Sequence, residues 1–532
     1  MSENDDNAPW WRGAVIYQIY PRSFRDSNGD GVGDLRGIID GLGYIAGIGV
    51  DAIWISPFFT SPMDDFGYDV ADYCNVDPIF GALSDFDALV EQAHRLGLKV
   101  IIDQIYSHTS DRHNWFAESR CDHTNAKADW YVWADAKPDG APPNNWQSVF
   151  GGPAWSWDAR RRQYYLHNFL TSQPDLNLHN RDVQDAILTV ARFWLDRGVD
   201  GFRLDALNFA MHDPQLRDNP VAAYGDRSPA RTFDYQQHTY NQSHPDIAGF
   251  LERIRTVTDG YSDIFTVAEV VGENPLAEMK AFTRPARLGS AYNFDFLYAN
   301  KVSARQVKAS VSAWGGDARE GWPSWAFSNH DAPREPSRWA PAALREQAAK
   351  LYLMVLASLR GDAFIYQGEE LGLPQADVPF EALKDPEAIA NWPHTLGRDG
   401  ARTPIPWRSG APQSGFSSAP PWLPVDPRHD ALAIDVQDAD PDSVLNFTRK
   451  LLRIRRASAA LRLGDISFDD AAEILAFTRR HGDERRLCVF NLTDAPHPIP
   501  RGLAANAQPL IAVGKQAGDT LAPFSGFIAQ PG

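Results

Sequence analysis

Four short apolar runs in this chain end on ionisable side chains. "GLKVIID" stops at Asp103 and is followed within a few residues by His108, "GVDGFRLD" carries Arg203 and Asp205, "DIFTVAE" ends on Glu269, and "WPSWAFSNHD" ends on His330 and Asp331. Residues two apart on a strand point to the same side, so Arg203 and Asp205 share one place, and charges of this kind are almost never fully buried unless paired. A lone Arg-x-Asp reads as a structural ion pair as readily as a site. Several carboxylates, two histidines and an arginine at the ends of separate strands exceed what one pair needs. Cleavage of a glycosidic bond needs such a set: one carboxylate to attack or stabilise an oxocarbenium-like centre, and one carboxylic acid to protonate the departing oxygen. The acid must keep its proton near neutral pH, which like charges and desolvation favour. Glu269, set between "TVA" and "VV", suits that role, with Arg203 expected to keep Asp205 ionised.

The elements that must position these groups recur regularly. Runs of the same kind begin near 14 ("AVIYQIY"), 49 ("GVDAIWIS"), 97, 198, 263, 291 ("AYNFDF"), 322 and 362 ("DAFIYQGEE"), most of them followed by a helix-like segment. Continuous apolar strands alternating with helices predict a parallel sheet covered on both faces, and eight units predict an α/β fold closed as a (β/α)8 barrel, with its chemistry at the C-terminal ends of the strands. In "NRDVQDAILTVARFWLDRG" a helix is expected, capped by Asn180 or Asp182, with Ile187, Val190, Ala191, Trp194 and Leu195 as its apolar stripe and Gly198 as its stop. Residues 1–103 and 173–456 are assigned to the catalytic barrel. Residues 104–172, loop-like and holding Trp115, Trp130, Trp133, Trp146, Trp155 and Trp157, form an inserted subdomain after the third strand. Its aromatic side chains read first as a small core and second as a ligand platform. From 457 to 532, "EILAFTRR", "RRLCVFNLT" and "PLIAV" predict a C-terminal all-β sandwich.

A net charge of −18 over 532 residues argues against nucleic acid or an anionic membrane as partner, and suits a neutral small-molecule substrate. No basic start with an apolar core marks a secretory signal, so a cytoplasmic location is expected, as a monomer or homodimer. Cys74, Cys121 and Cys488 are odd in number and lack CxxC spacing, which suggests neither a disulfide framework nor a zinc site. The acidic first residues are expected to lack fixed structure.

Taken together, "DQIYSHTS" (103–110), "QPDLN" (173–177), "GFRLDA" (201–206), "VAEV" (267–270), "FSNHD" (327–331) and "GRDGARTPIPW" (397–407) make the chain resemble the α-amylase family of glycoside hydrolases, in its α-glucosidase and oligo-1,6-glucosidase branch. The resemblance implies Asp205 as nucleophile, Glu269 as acid/base and Asp331 as transition-state stabiliser. It also implies a pocket for a terminal glucose lined by Asp65, Tyr68, His108, Arg203, His330 and Arg398, with Asp65 paired to Arg398 at the blind end, Phe150 and Phe169 as aromatic walls, and Ala206 at the border with the acceptor. The expected activity is retaining, exo-acting release or transfer of α-glucose from maltose-like α-1,4-glucosides to water or an alcohol acceptor. A sucrose hydrolase or glucosyl-isomerising enzyme is the alternative. A non-catalytic member of the same fold is disfavoured, because both the nucleophile and the acid are present. No cofactor is expected for catalysis.

Ser107 stands where the family more often has the asparagine that amylases use for calcium, which speaks against that site here. "DSNGDGVGD" (26–34) is a better candidate: Asp26, Asn28, Asp30, the Val32 carbonyl and Asp34 alternate as at the start of an EF-hand loop, without its bidentate glutamate. One structural Ca2+ or Mg2+ is expected there.

Overall fold

All eight apolar runs fold as strands of one parallel sheet: β1 (Val15–Ile19), β2 (Ala52–Ile55), β3 (Lys99–Ile105), β4 (Gly201–Asp205), β5 (Phe265–Val270), β6 (Ser290–Asn293), β7 (Ser324–Ala326) and β8 (Asp362–Tyr366). The computed structural model describes residues 8–223, 229–314, 321–395, 397–471 and 473–532; the acidic first residues therefore lie outside the described residues. Neighbours pair in the order β6-β5-β4-β3-β2-β1-β8-β7. The sheet closes where β6 meets β7, through a parallel bridge between Ala291 and Pro323 and through Ser290 Oγ, which lies 2.7 Å from both the Trp322 carbonyl and Ser324 Oγ. The barrel is thus the (β/α)8 fold expected of the alternation. Every residue of β1, β2, β4, β5, β7 and β8 is buried, as a sheet covered on both faces demands.

Helices α1 (Leu35–Ile48), α2 (Leu83–Arg95), α3 (Arg181–Leu195) and α4 (Ile247–Thr258) cover the outer face. In α3 the Asn180 side chain accepts the Asp182 N–H, and Val183, Ile187, Leu188, Ala191, Trp194 and Leu195 face inward. Trp194 packs against Phe58, Phe59 and Phe86, with ring centroids 4.9–5.5 Å away, and its Nε1 donates to the Tyr73 carbonyl at 2.9 Å.

Between β3 and β4, Trp133–Ala134, Trp155–Asp158 and Gln163–Leu166 form a small antiparallel sheet. Trp146 and Trp155 are buried with Val132 and Leu166, Trp115 packs edge-on to Trp130, and Trp133 stacks on Phe116, so these rings form a core; Trp157 is exposed. A second excursion, not anticipated in the sequence, follows β4 and packs on this subdomain. Asn145 and Asn219 exchange two hydrogen bonds of 2.8 and 2.9 Å, and Trp146 Nε1 donates to the Arg217 carbonyl at 2.9 Å. C-terminally, five antiparallel strands face a second sheet of three short ones, enclosing Leu487, Val489, Ile499, Leu521 and Phe527. Fully buried Arg479 ties the five-stranded sheet to the barrel by donating to the Ser358 and Leu359 carbonyls at 2.6 and 2.8 Å.

Truncating Trp194 to Ala removes the largest side chain of the α3 interface together with a buried hydrogen bond. We expect a loss of about 3–5 kcal/mol, read as a lower midpoint of chemical unfolding, with activity below the transition unchanged.

Candidate active site

At the C-terminal ends of the strands lies a cavity of about 790 Å³ whose wall includes Asp205, Glu269 and Asp331. Asp205 is the last residue of β4 and Glu269 the last but one of β5. Asp331 follows β7 on a turn in which the Asn329 side chain accepts the Asp331 and Ala332 N–H groups at 2.9 and 2.8 Å. One guanidinium holds the first two together. Arg203, completely buried, donates through Nη1 to Asp103 at 2.8 Å and Asp205 at 2.5 Å, through Nη2 to Glu269, and through Nε to the Tyr292 hydroxyl at 3.0 Å. The other Glu269 oxygen accepts the Ala206 N–H at 3.1 Å. That geometry depends on a left-handed turn directly after the strand, with Ala206 at φ 41° and ψ 41°.

The expected division of protonation between Asp205 and Glu269 does not come from Arg203. Burial pushes both carboxyls up to about 7, against the lowering effect of Arg203. A single positive charge is shared among Asp103, Asp205 and Glu269, too little to hold all three ionised in a desolvated site; burial raises Asp103 as well, to about 6. Asp331 lies in the opposite environment. Burial would raise its pKa, but the adjacent His330, then Arg402, 2.6 Å away, and Arg398, 3.5 Å away, hold it well below the carboxylate range. Its neighbour His330 stays neutral, its pKa lowered by burial to about 3. Gln18 Nε2 donates to His330 Nδ1 at 2.7 Å, which leaves the ring proton on Nε2, 2.5 Å from the Tyr68 hydroxyl and 3.2 Å from Asp331.

Asp65 and Arg398 both line the cavity and are paired at 2.9 Å as expected. Gln173 donates to the second Asp65 oxygen at 3.1 Å. His108, its pKa lowered by burial to about 4, bonds the Tyr68 carbonyl at 3.1 Å and Ser107 Oγ at 3.0 Å. Tyr68, His108, Phe150, Phe169 and Ala206 all reach the cavity surface. Phe150 lies 5.0 Å beneath the Arg398 guanidinium and packs on Phe169, which in turn packs on Phe209. Arg203 and His330 correct the expectation. They stand one layer behind the wall instead of lining it, because the donors of Arg203 are spent on Tyr292 and three carboxylates, and His330 is enclosed by Gln18, Tyr68 and Asp331.

Several contributors escaped the sequence reading. Asp385 fixes Arg398 through both Nε and Nη2, at 3.1 and 2.8 Å, and Arg402 fixes Asp331 and the His330 carbonyl at 2.6 Å each. Tyr292 and Trp54 flank Arg203; the latter offers its ring face at 5.1 Å and its Nε1 to Asp103 at 2.9 Å. Gln173 and Arg402 lie within the quoted motifs "QPDLN" and "GRDGARTPIPW", the available signal for them. Away from the cavity, residues 26–34 form a loop in which each acidic or amide side chain accepts backbone N–H groups: Asp26 from Asn28, Gly29 and Gly31, Asn28 from Asp30, Asp30 from Val32, and Asp34 from Ser27 and Gly37. Ser417 Oγ and the Trp422 N–H tie it to the 416–422 segment.

Comparison with known proteins agrees with this arrangement. Residues 18–464 match the alpha amylase catalytic domain. The chain is 55% identical over 495 residues to a probable alpha-glucosidase of Rhizobium meliloti (strain 1021), covering 91% of this chain and 90% of that protein. It is 36% identical over 522 residues to an oligo-1,6-glucosidase of Heyndrickxia coagulans, covering 91% and 92%. Among solved structures it is similar to the alpha-glucosyl transfer enzyme XgtA, with 50% identity, a TM-score of 0.93 and coverage of 99% and 100%. The trehalulose synthase MutB of Pseudomonas mesoacidophila MX-45 shares 31% identity at a TM-score of 0.89, over 98% and 100%. With the motifs, the closed barrel and the match over most of its length in accord, the chain belongs to the α-amylase family of glycoside hydrolases.

Proposed function

We propose that this protein is a retaining, exo-acting α-glucosidase that removes or transfers one α-glucosyl unit from the non-reducing end of maltose-like α-1,4-glucosides. The observation that carries the reading is the pair Asp205 and Glu269, held by the two terminal nitrogens of one guanidinium in a cavity whose wall also carries the ion pair of Asp65 and Arg398. We read that ion pair as the closed end of the cavity, which admits a terminal sugar and no continuing chain. Carboxyls bound to one planar group lie close together, as retention requires; inversion needs them far enough apart to fit a water between.

In this mechanism Asp205 attacks the anomeric carbon while Glu269 gives its proton to the glycosidic oxygen, so the aglycone leaves neutral. Glu269 then takes a proton from the acceptor, whose oxygen attacks from the face the aglycone left and displaces Asp205. Asp331, kept ionised by two arginines, stabilises positive charge at the anomeric centre. Water as acceptor gives α-glucose, and an alcohol gives a new α-glucoside. Phe209, Phe233, Phe294 and Tyr298 add an aromatic side to the cavity, which supports transfer to less polar acceptors. The likeness to a trehalulose synthase supports the second reading, glucosyl isomerisation of sucrose, and product analysis on sucrose beside maltose separates the two. Three free cysteines support work in a reducing compartment. Among the described residues no helix is long and apolar enough to cross a membrane.

Asp205→Asn is expected to reduce turnover of maltose to background while the protein keeps its unfolding midpoint. The wild type should release α-glucose first in a fast NMR assay; β-glucose as the first anomer would refute retention. Since burial holds both Asp205 and Glu269 near 7, kcat/KM should be bell-shaped with its optimum near neutral pH. Its acid limb reports protonation of the nucleophile, its alkaline limb loss of the proton from the acid. Glu269→Gln should abolish the alkaline limb on an aryl α-glucoside, whose leaving group needs no proton.

Ala206 lies on the cavity wall beside the nucleophile, so its small side chain leaves room for the approach of an α-1,4-linked aglycone. Maltose should be a better substrate than isomaltose by roughly 10–200-fold, the range that steric selection of about one methylene gives. A branched side chain at the left-handed Ala206 position is strained, so Ala206→Val should lower both activities. The diagnostic readout is the ratio, which should shift towards isomaltose.

For the 26–34 loop we propose one structural divalent cation held by Asp26, Asn28, Asp30, the Val32 carbonyl and Asp34. The support is an all-oxygen donor set, the chemistry of Ca2+ or Mg2+. A chelator should lower the melting temperature, and excess Ca2+ or Mg2+ should restore it, because a ligand bound only to the native state stabilises it. The initial rate at moderate temperature should change little.

A further inference from the structure

Outside the cavity, on the side where the segment entering α3 meets the segment entering α4, the ligand atoms of His179, His244 and Asp246 lie within 4.8 Å of one another. His179 precedes α3 and its cap Asn180, whereas His244 and Asp246 immediately precede α4. His179 Nε2 lies 2.7 Å from the His212 carbonyl. A carbonyl only accepts, so the ring proton sits on Nε2 and Nδ1 presents a lone pair on the other side. That is how a metal-ligating histidine is commonly oriented, its second nitrogen donating to a backbone carbonyl.

His179 Nδ1 is 3.9 Å and His244 Nδ1 3.7 Å from the same Asp246 oxygen, too far for hydrogen bonds. The two imidazoles meet edge to face at 5.0 Å. Tetrahedral Zn2+ with bonds of about 2.0–2.2 Å holds adjacent ligand atoms about 3.4 Å apart, so the two histidine–aspartate separations need to contract by only a few tenths of an ångström, while the two imidazole nitrogens start within 4.8 Å of each other. The Asp246 N–H also approaches His244 Nδ1, at 3.3 Å, a long contact that an ion would replace. Both histidines are mostly covered and Asp246 is exposed, leaving a solvent-facing position for water as fourth ligand. Two imidazole nitrogens with one carboxylate suit zinc, nickel or cobalt; calcium and magnesium prefer oxygen throughout.

We infer that His179, His244 and Asp246 form a transition-metal site that staples the segment leaving the inserted subdomain to the excursion after β4. That excursion carries Phe209 and Phe233 of the cavity wall, so an ion there restrains the acceptor side without touching the reacting groups.

The test uses the full chain, stripped with chelator and dialysed against micromolar ZnCl2 with excess Mg2+ and Ca2+ to occupy oxygen-only sites. The wild type should bind one more equivalent of Zn2+ than His244→Ala or Asp246→Asn, should rise in melting temperature with Zn2+ where both variants do not, and should show nitrogen and oxygen neighbours at the zinc absorption edge. All three proteins should hydrolyse maltose equally before zinc is added. Equal stoichiometry in wild type and variants, or sulfur neighbours pointing to Cys74 or Cys121, would overturn the assignment.

Discussion

The site is organised around a charge that has no access to water. Arg203 is buried between β3, β5 and β6, with Asp103, Glu269 and Tyr292 as its partners on those strands and Asp205 beside it on its own. Removing one partner from a buried ion pair costs about 3–5 kcal/mol, because a charge is left uncompensated, so each of these strands is held in register by the others. The barrel supplies what the cluster requires: adjacent parallel strands whose C-terminal ends lie level, with Asp103 opposite Arg203 and Val267 opposite Arg203 in the two ladders. The same shortage of positive charge that makes the cluster cohesive leaves it able to keep a proton near neutrality. Cohesion and acid chemistry therefore have one cause.

Asp331 shows the converse. It is reached from β7, but its charge is compensated from a different part of the chain, by Arg398 and Arg402 in the loop after β8. Two guanidinium groups, shared by Asp331 with Asp65 and Asp385, favour the ionised form of Asp331; one guanidinium shared among three buried carboxyls favours retention of a proton. The active centre is thus divided into a permanently anionic side and a proton-bearing side. The division follows from the cations grouped around each carboxyl, before any substrate is considered.

This difference also explains what could be read from the sequence. The catalytic strand ends were legible because a charged residue closing a continuous apolar run is conspicuous, and the cap and stripe of α3 followed from local periodicity. Depth was not legible. That Arg203 and Asp205 share a side follows from spacing, yet Arg203 proves fully buried behind Asp205, which is itself part of the cavity wall. Asp385 and Arg402 were missed as partners because they lie in loops without a periodic pattern, Asp385 13 positions from Arg398 and Arg402 71 positions from Asp331, and meet them only through tertiary closure. The excursion after β4 lacks an apolar period and passed for an ordinary connection, although it builds one side of the cavity. The Ala206 N–H bond to Glu269 belongs to the backbone, and a turn geometry, not a residue type, places it.

Chemistry and selectivity are consequently written in different parts of the fold. Strand ends carry the groups that must be fixed to a fraction of an ångström, and strands are the most cooperatively held elements present. Phe209, Phe233 and Arg231 follow β4, Phe294 and Tyr298 follow β6, and Glu387 follows β8, so three separate loops form the side on which an aglycone would sit. Arg231 reaches Glu387 at 3.4 Å across two of them. Such loops can change length and composition without disturbing the Arg203 cluster. Relatives named for hydrolysis, glucosyl transfer and trehalulose synthesis fit that separation, in which the barrel fixes the strand-end cluster and the loops around the cavity are free to differ.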